Sequence, residues 1–151
     1  NIGKVRSRGV EVSYAGEDVG IRGLDLLASL AYTQSKILAN AQNPASIGKY
    51  FYRIPLWRAD LAATYRIDAR MALTLAARYS GRQYNTLANV DANPDVFGGT
   101  STYTVADARF TFKPAKHAEI GVGVDNLFDA RYFVYHPYPG RTFYVDAKLR
   151  M

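Results

Sequence analysis

The sequence predicts an all-β chain: an antiparallel, up-and-down segment of a transmembrane β-barrel, about seven strands of a larger ring. Three observations carry this. Apolar residues recur at every second position in segment after segment, large aromatics sit at the ends of those apolar stripes, and the intervening loops alternate between short and long.

Side chains of a strand point alternately to its two faces, so a period of two sorts each segment into an apolar and a polar set. The first segment is the least regular, with Val10, Val12 and Tyr14 opposite Gly9, Glu11 and Ser13. In the second, Leu24, Leu26, Ala28, Leu30 and Tyr32 oppose Asp25, Leu27, Ser29, Ala31 and Thr33. In the third, Trp57, Ala59, Leu61, Ala63 and Tyr65 oppose Arg58, Asp60, Ala62, Thr64 and Arg66. The fourth sets Met71, Leu73, Leu75, Ala77 and Tyr79 against Ala72, Thr74, Ala76, Arg78 and Ser80. The fifth sets Thr104, Ala106, Ala108, Phe110 and Phe112 against Tyr103, Val105, Asp107, Arg109 and Thr111. In the sixth, Ala118, Ile120, Val122 and Val124 oppose Glu119, Gly121, Gly123 and Asp125. In the last, Phe143, Val145, Ala147, Leu149 and Met151 oppose Thr142, Tyr144, Asp146, Lys148 and Arg150. From the second segment onward the apolar sets carry no charge.

Alternation alone fits a water-soluble sandwich equally well, so length, aromatics and loops decide the solvent. The patterns run about nine to eleven residues, the reach of a tilted strand across a bilayer, where soluble strands average about five or six. Trp57 and Tyr65 close both ends of one stripe; Tyr32, Tyr79 and Phe143 close one end of theirs, and Tyr14, Phe110 and Phe112 the other. A soluble core places its large rings in the middle, whereas barrels place them in girdles at two membrane interfaces. The connections near 16–22, 67–69 and 113–116 are short; those near 34–55, 82–101 and 127–141 are long and rich in Asn, Gly, Pro and Tyr. Tracing the chain puts every short turn on one side, as in barrels with periplasmic turns and external loops.

Composition narrows the function. The formal net charge is +6 with no Lys/Arg-rich run, so no nucleic-acid partner is expected. With no cysteine there is no disulfide framework and no thiolate chemistry. Among the histidines, His117 falls at a short turn and His136 in the last long loop, whereas a metal site needs converging ligands, so neither a metal site nor a cofactor is expected. Asp60, Asp107, Asp125, Arg58, Arg78 and Arg109 read as a solvated charge network along the polar wall rather than acid–base machinery. No phosphate loop, serine elbow or histidine triad is visible, so no enzyme activity and no catalytic residue is expected.

The stretch VGVDNLFDARY, followed by PYPGRTFYVDAKLRM, resembles the C-terminal end of TonB-dependent outer-membrane receptors. In that family an Asn-Leu-Phe-Asp-x-x-Tyr stretch tops the penultimate strand, and a Gly-Arg lead-in starts the last strand, which usually ends in Phe. Asn126, Leu127, Phe128, Asp129 and Tyr132 match the first element, and Gly140 and Arg141 the second; Met151 stands where the usual Phe would be. SRGVEVSY and IPLWRADLAATY also look like strands of such receptors. The resemblance implies a barrel of 22 strands with a plugged lumen. Residues 1–151 would supply its C-terminal portion, with the plug domain, the N-terminal strands and the segment that engages TonB outside this chain. It further implies the outer membrane of a Gram-negative bacterium, import of a ferric siderophore or similar iron complex, and contact with lipopolysaccharide. The last strand, through Phe143, Val145, Ala147, Leu149 and Met151, would be read by the barrel-assembly machinery. In the long loops Arg53, Arg82, Tyr84, Tyr132, Tyr135, His136 and Arg141 have the chemistry for an anionic, aromatic ligand, through charge-assisted hydrogen bonds and stacking. Arg6 and Arg8 continue the lipid-facing parity of the first strand and point to lipopolysaccharide phosphates. A passive porin-type channel and a soluble β-barrel or sandwich that binds a small ligand stay open as alternatives.

Overall fold

The period-two segments become strands in a computed structural model that describes residues 2–91 and 93–150. The strands are β1 (Lys4–Gly16), β2 (Leu24–Ala39), β3 (Trp57–Arg66), β4 (Met71–Ser80) and β5 (Tyr103–Ala115). They continue as β6 (Ala118–Asp125), β7 (Phe133–Val134), β8 (His136–Pro137) and β9 (Thr142–Leu149). Seven form one antiparallel meander in the order β1-β2-β3-β4-β5-β6-β9, as the alternation predicts; β7 and β8 form a separate two-stranded sheet, bridged to Thr100 through Val134.

The registers keep every apolar set on one face. Tyr14 lies opposite Ala28, Ala28 opposite Leu61, Leu61 opposite Ala77, and Ala77 opposite Ala106. Tyr32 and Trp57 are direct partners with ring centroids 4.8 Å apart, which builds one girdle from cross-strand neighbours. Among the described residues, the buried hydrophobic side chains are Ile37, Val105 and Tyr132, while Leu61 and Leu75 are 50% exposed and Val145 is 72% exposed. A sheet with this much continuous apolar surface and no second layer over it has its hydrophobic partner outside the chain. Met151, the last apolar position of the alternation, lies outside the described residues.

The opposite face is held by polar pairs. Arg109 forks onto Asp146, with Nη1 2.7 Å from Oδ2 and Nη2 donating to Oδ1 at 2.8 Å. Gly121 and Gly123 make this possible: a Cβ at Gly121 would overlap the Arg109 guanidinium and the Asp146 carboxylate, and one at Gly123 would overlap the Tyr144 ring. Arg78 pairs with Asp107 at 3.1 Å, and Thr64 and Thr74 hydroxyls bond at 2.9 Å. At the short-turn end, Arg66 Nη2 donates to Asp18 and Asp25, each at 2.8 Å. In the β3–β4 turn, Asp68 Oδ1 accepts the amides of Arg70 and Met71.

Three boundaries depart from the expectation. β1 begins at Lys4 and β2 runs to Ala39, so the first long loop starts at Asn40 rather than near 34. This upper part of the hairpin carries Lys, Arg, Ser and Gln on its faces and is held by pairing, with no lipid stripe to mark it. β5 continues to Ala115 across a register shift after Phe112. The last long loop contains the β7–β8 hairpin, whose strands are too short to show a period.

An isolated arc of this kind is not a finished object. Seven strands at about 4.8 Å spacing span roughly 34 Å, and β1 and β9 each present an unpaired edge. The 151-residue chain alone is therefore expected to self-associate in detergent-free buffer, as large species in sedimentation velocity. A stable monomer would contradict the lipid-facing assignment.

Candidate ligand-facing site

The long loops meet at the end of the sheet opposite the short turns. The β2–β3 loop (40–56), the β4–β5 loop (81–102) and the β6–β9 loop (126–141) are tied together by backbone bonds. Arg53 N donates to Tyr84 O at 2.7 Å and Leu56 N to Arg82 O at 3.4 Å. Gly98 N donates to Tyr135 O and Tyr135 N to Gly99 O, both at 2.7 Å. Ser101 N donates to Phe133 O at 2.8 Å, and Ser101 Oγ accepts Phe133 N at 2.9 Å.

The side chains on this frame form two cation–aromatic groups, joined by the Arg53–Tyr84 backbone bond. The Arg53 guanidinium lies 4.3 Å from the Tyr135 ring centroid, and Arg82 lies 4.9 Å from Tyr84. Tyr84 stacks on Tyr50 at 6.0 Å, and Lys36 Nζ sits 5.3 Å over Tyr50. His136 is edge-on to both Phe97 and Tyr135, at 5.0 and 5.3 Å. Arg53 and Tyr135 both hold positive φ, 59° and 69°. Neither is a glycine, so each carries a backbone cost of about 1–2 kcal/mol that the loop contacts must offset.

Below lies a further group around the Asn-Leu-Phe-Asp stretch. Asn126, with φ 55°, donates its backbone N–H to Asp107 Oδ1 at 2.9 Å. Its side chain donates to Ala130 O at 2.9 Å and Pro139 O at 3.3 Å, and accepts Ala130 N at 2.8 Å. Leu127 N donates to Ala106 O at 2.7 Å. Asp129, with φ 55°, accepts the Arg141 amide at 2.8 Å. A Cβ at Gly140 would come within 2.7 Å of that same carboxylate oxygen, which is why the Gly-Arg lead-in needs its glycine. The stretch is thus a clasp that fastens both ends of the last loop to the sheet, with Phe128 left 76% exposed.

Tyr132 is 5% exposed, with its ring centroid 4.3 Å from that of Tyr103 and 4.9 Å from that of Tyr138. Burial pushes its phenol above the ordinary value, so it stays a neutral hydroxyl at physiological pH. This stack walls a recess of about 450 Å³, lined also by Arg78, Asp107, Asp125 and Thr142, on the charged face of the sheet. That is within the usual size range of small-molecule sites.

Of the seven loop residues singled out in the sequence, the structure joins Arg53, Tyr135 and His136 in one group and Arg82 and Tyr84 in another, with a backbone bond between them. Tyr132 and Arg141 belong to the clasp beneath them. Sequence reasoning missed Asn89, whose side chain holds Tyr50 by bonds of 2.7 and 3.0 Å, and Asp146, the partner of Arg109. Asn89 gives no sequence signal; Asp146 had one, as an in-facing acid on the last strand.

Comparison with known proteins places this architecture. The family described as TonB dependent receptor-like, beta-barrel matches residues 1–127. The chain belongs to the TonB-dependent receptor family. The match covers β1 to β6, six of the seven strands that alternation predicts. A curated relative is the ferric-pyoverdine M114 receptor PbuA of Pseudomonas sp. (strain M114), 26% identical over 134 residues, covering 88% of this chain and 16% of that receptor. The ferric citrate transporter FecA, in its unliganded form, superimposes with a TM-score of 0.83 at 21% identity, covering 96% of this chain and 24% of that one. The ferric yersiniabactin uptake receptor FyuA of Yersinia pestis gives 0.80 at 22% identity, covering 99% and 24%. This TonB-dependent receptor segment therefore spans between about a sixth and a quarter of the length of these relatives. The family is one of transport receptors rather than enzymes, and its barrel fold makes the apolar face the lipid face.

Proposed function

We propose that this chain is the C-terminal part of the barrel wall of an outer-membrane receptor that imports a ferric siderophore or similar iron complex, energised through TonB by parts outside the chain. The observation that carries the reading is the Arg53–Tyr135 contact within the three-loop cluster. Guanidinium groups and tyrosine rings together suit an anionic aromatic chelate. The lipid face would lie in the outer membrane of a Gram-negative bacterium, in contact with lipopolysaccharide, and β9 would be the strand presented to the barrel-assembly machinery. Family membership speaks against a passive porin-type channel and against a soluble sandwich.

Equilibrium binding of candidate ferric siderophores to the purified full-length receptor tests this. Losing a charge-assisted hydrogen bond costs about 1.5–3 kcal/mol, roughly ten- to a hundredfold in affinity. Arg53→Ala, Arg141→Ala and a Tyr135/His136 double alanine are each expected to weaken binding on that scale. Heat-modifiable gel mobility should show folding preserved. Unchanged affinity in all three variants would mean that these loops only pack.

A further inference from the structure

From β2 to β9, the acids on the inner face of the strands have partners among the described residues, with one exception. Asp25 is paired with Arg66, Asp107 with Arg78 and Asp146 with Arg109. Asp60 is registered with Arg78 and accepts the Ser29 hydroxyl at 3.4 Å, and Glu119 is registered with Lys148. Asp125, the last residue of β6, is registered with Thr142. Its carboxylate has neither an ion pair nor a hydrogen bond among the described residues.

This carboxylate lines the recess of about 450 Å³ beneath the last loop, together with Tyr132, Tyr138 and Pro139. The other charged groups there are engaged with each other. Arg78 Nη2 lies 3.1 Å from Asp107 Oδ2, and Asp107 Oδ1 accepts the Asn126 amide at 2.9 Å. Arg141 is not among the lining residues, so the recess keeps one uncompensated negative charge. Its walls are held in place without help from a ligand, because Tyr132 is packed between Tyr103 and Tyr138 and the clasp fixes Asn126 beside them.

Tyrosine walls around a free carboxylate select for the sign of charge. Ring faces attract cations. The carboxylate accepts charge-assisted hydrogen bonds from N–H donors and has no proton to give an anion. A carboxylate or phosphate ligand therefore gains nothing here. An alkylammonium gains from both features, and its methylene stem packs on the rings and Pro139.

We propose that this recess is a binding site for a primary ammonium group, carried on a pendant arm of the imported iron complex. The proposal deepens the import reading and rests on it for the identity of the carrier. The loop guanidinium groups take the anionic core of the chelate and the recess takes its cationic arm, so the receptor prefers zwitterionic chelates to wholly anionic ones.

The test uses the purified full-length receptor in detergent, with phenethylammonium as the probe and phenethyl alcohol as its neutral counterpart. Saturation-transfer NMR is expected to show the ammonium binding about tenfold more tightly than the alcohol. Asp125→Asn keeps the shape of the side chain and should cut ammonium affinity roughly ten- to a hundredfold while leaving the alcohol unchanged. Asp125→Glu should retain most of it. Candidate ferric siderophores are titrated in parallel. The tightest binder should carry a free ammonium, and N-acetylation of that amine should cost about tenfold in the parent and nothing in Asp125→Asn. Equal binding of ammonium and alcohol, or unchanged ammonium affinity in Asp125→Asn, would overturn the proposal. A parent that binds no ammonium would overturn it too, and would mean that a cation from elsewhere in the receptor already occupies Asp125. So would a tightest siderophore that lacks a free ammonium, which would leave the import reading intact. If no ferric siderophore binds while the ammonium still binds at Asp125, the import reading fails and the ammonium site stands without its iron-bearing carrier.

Discussion

Leu61→Arg or Leu75→Arg, introduced into the full-length receptor, is expected to cripple its insertion into lipid vesicles. Both residues lie mid-stripe on the apolar face and are half exposed to whatever surrounds the wall. A cation at the bilayer midplane of such a barrel costs about 2–4 kcal/mol, which is roughly thirty- to a thousandfold in the folding equilibrium. The neighbours Ala62→Arg and Thr74→Arg point to the inner face. Ala62 loses no hydrogen bond, and Thr74 loses its bond to Thr64, worth about 1 kcal/mol. Folding titrations in urea should therefore separate the two faces clearly. Equal losses at odd and even positions of β3 would defeat the assignment.

The second large effect belongs to the clasp. Asn126→Ala removes three side-chain hydrogen bonds to Ala130 and Pro139 and forces alanine into a left-handed backbone. At about 1 kcal/mol per bond and a further 1–2 for the backbone, partly recovered by water, the loop should lose about 2–4 kcal/mol of local stability. Hydrogen exchange reads this directly. The Ala130 amide, which donates to Asn126 Oδ1, and the Arg141 amide, which donates to Asp129, should lose protection while β6 and β9 keep theirs. Asn126→Asp keeps the acceptor for Ala130 and should fall between parent and alanine. Unchanged exchange at both amides would show that the Tyr103–Tyr132–Tyr138 stack alone holds the loop.

What could be read from the sequence follows from where lipid acts on it. In β3, β4, β5, β6 and β9 the bilayer demands an uncharged face, so alternation fixes strand, face and approximate ends. Above the girdle that demand stops. Residues 4–8 and 34–39 are held as strands by mutual pairing, and no apolar stripe marks them. The small hairpin at 133–137 is likewise specified by bonds to residues 98–101, far away in sequence. At the site, residue types alone singled out arginine, tyrosine and histidine in the loops. Which of them meet depended on loop closure: Arg53 finds Tyr135 across two intervening strands, and Tyr132 turns inward where Tyr135 stays exposed. The resemblance identified the Asn126–Asp129 stretch, but its work as a clasp is visible only once Pro139 and Arg141 are folded back beside it. Gly121 and Gly123 entered the polar set by parity, and their purpose appeared only with Arg109, Tyr144 and Asp146 lying across them.

The central claim, that the apolar stripes face lipid and their neighbours an aqueous, charged interior, can be measured residue by residue on β3. The chain has no cysteine, so single cysteines at 59, 60, 61, 62, 63 and 64 can carry spin labels in the full-length receptor once any other cysteine is replaced. Labels at Ala59, Leu61 and Ala63 are expected to collide preferentially with oxygen dissolved in the bilayer. Labels at Asp60, Ala62 and Thr64 are expected to prefer a water-soluble nickel complex, giving a period-two accessibility ratio along the strand. A ratio that fails to alternate, or that alternates with the opposite phase, would contradict the account.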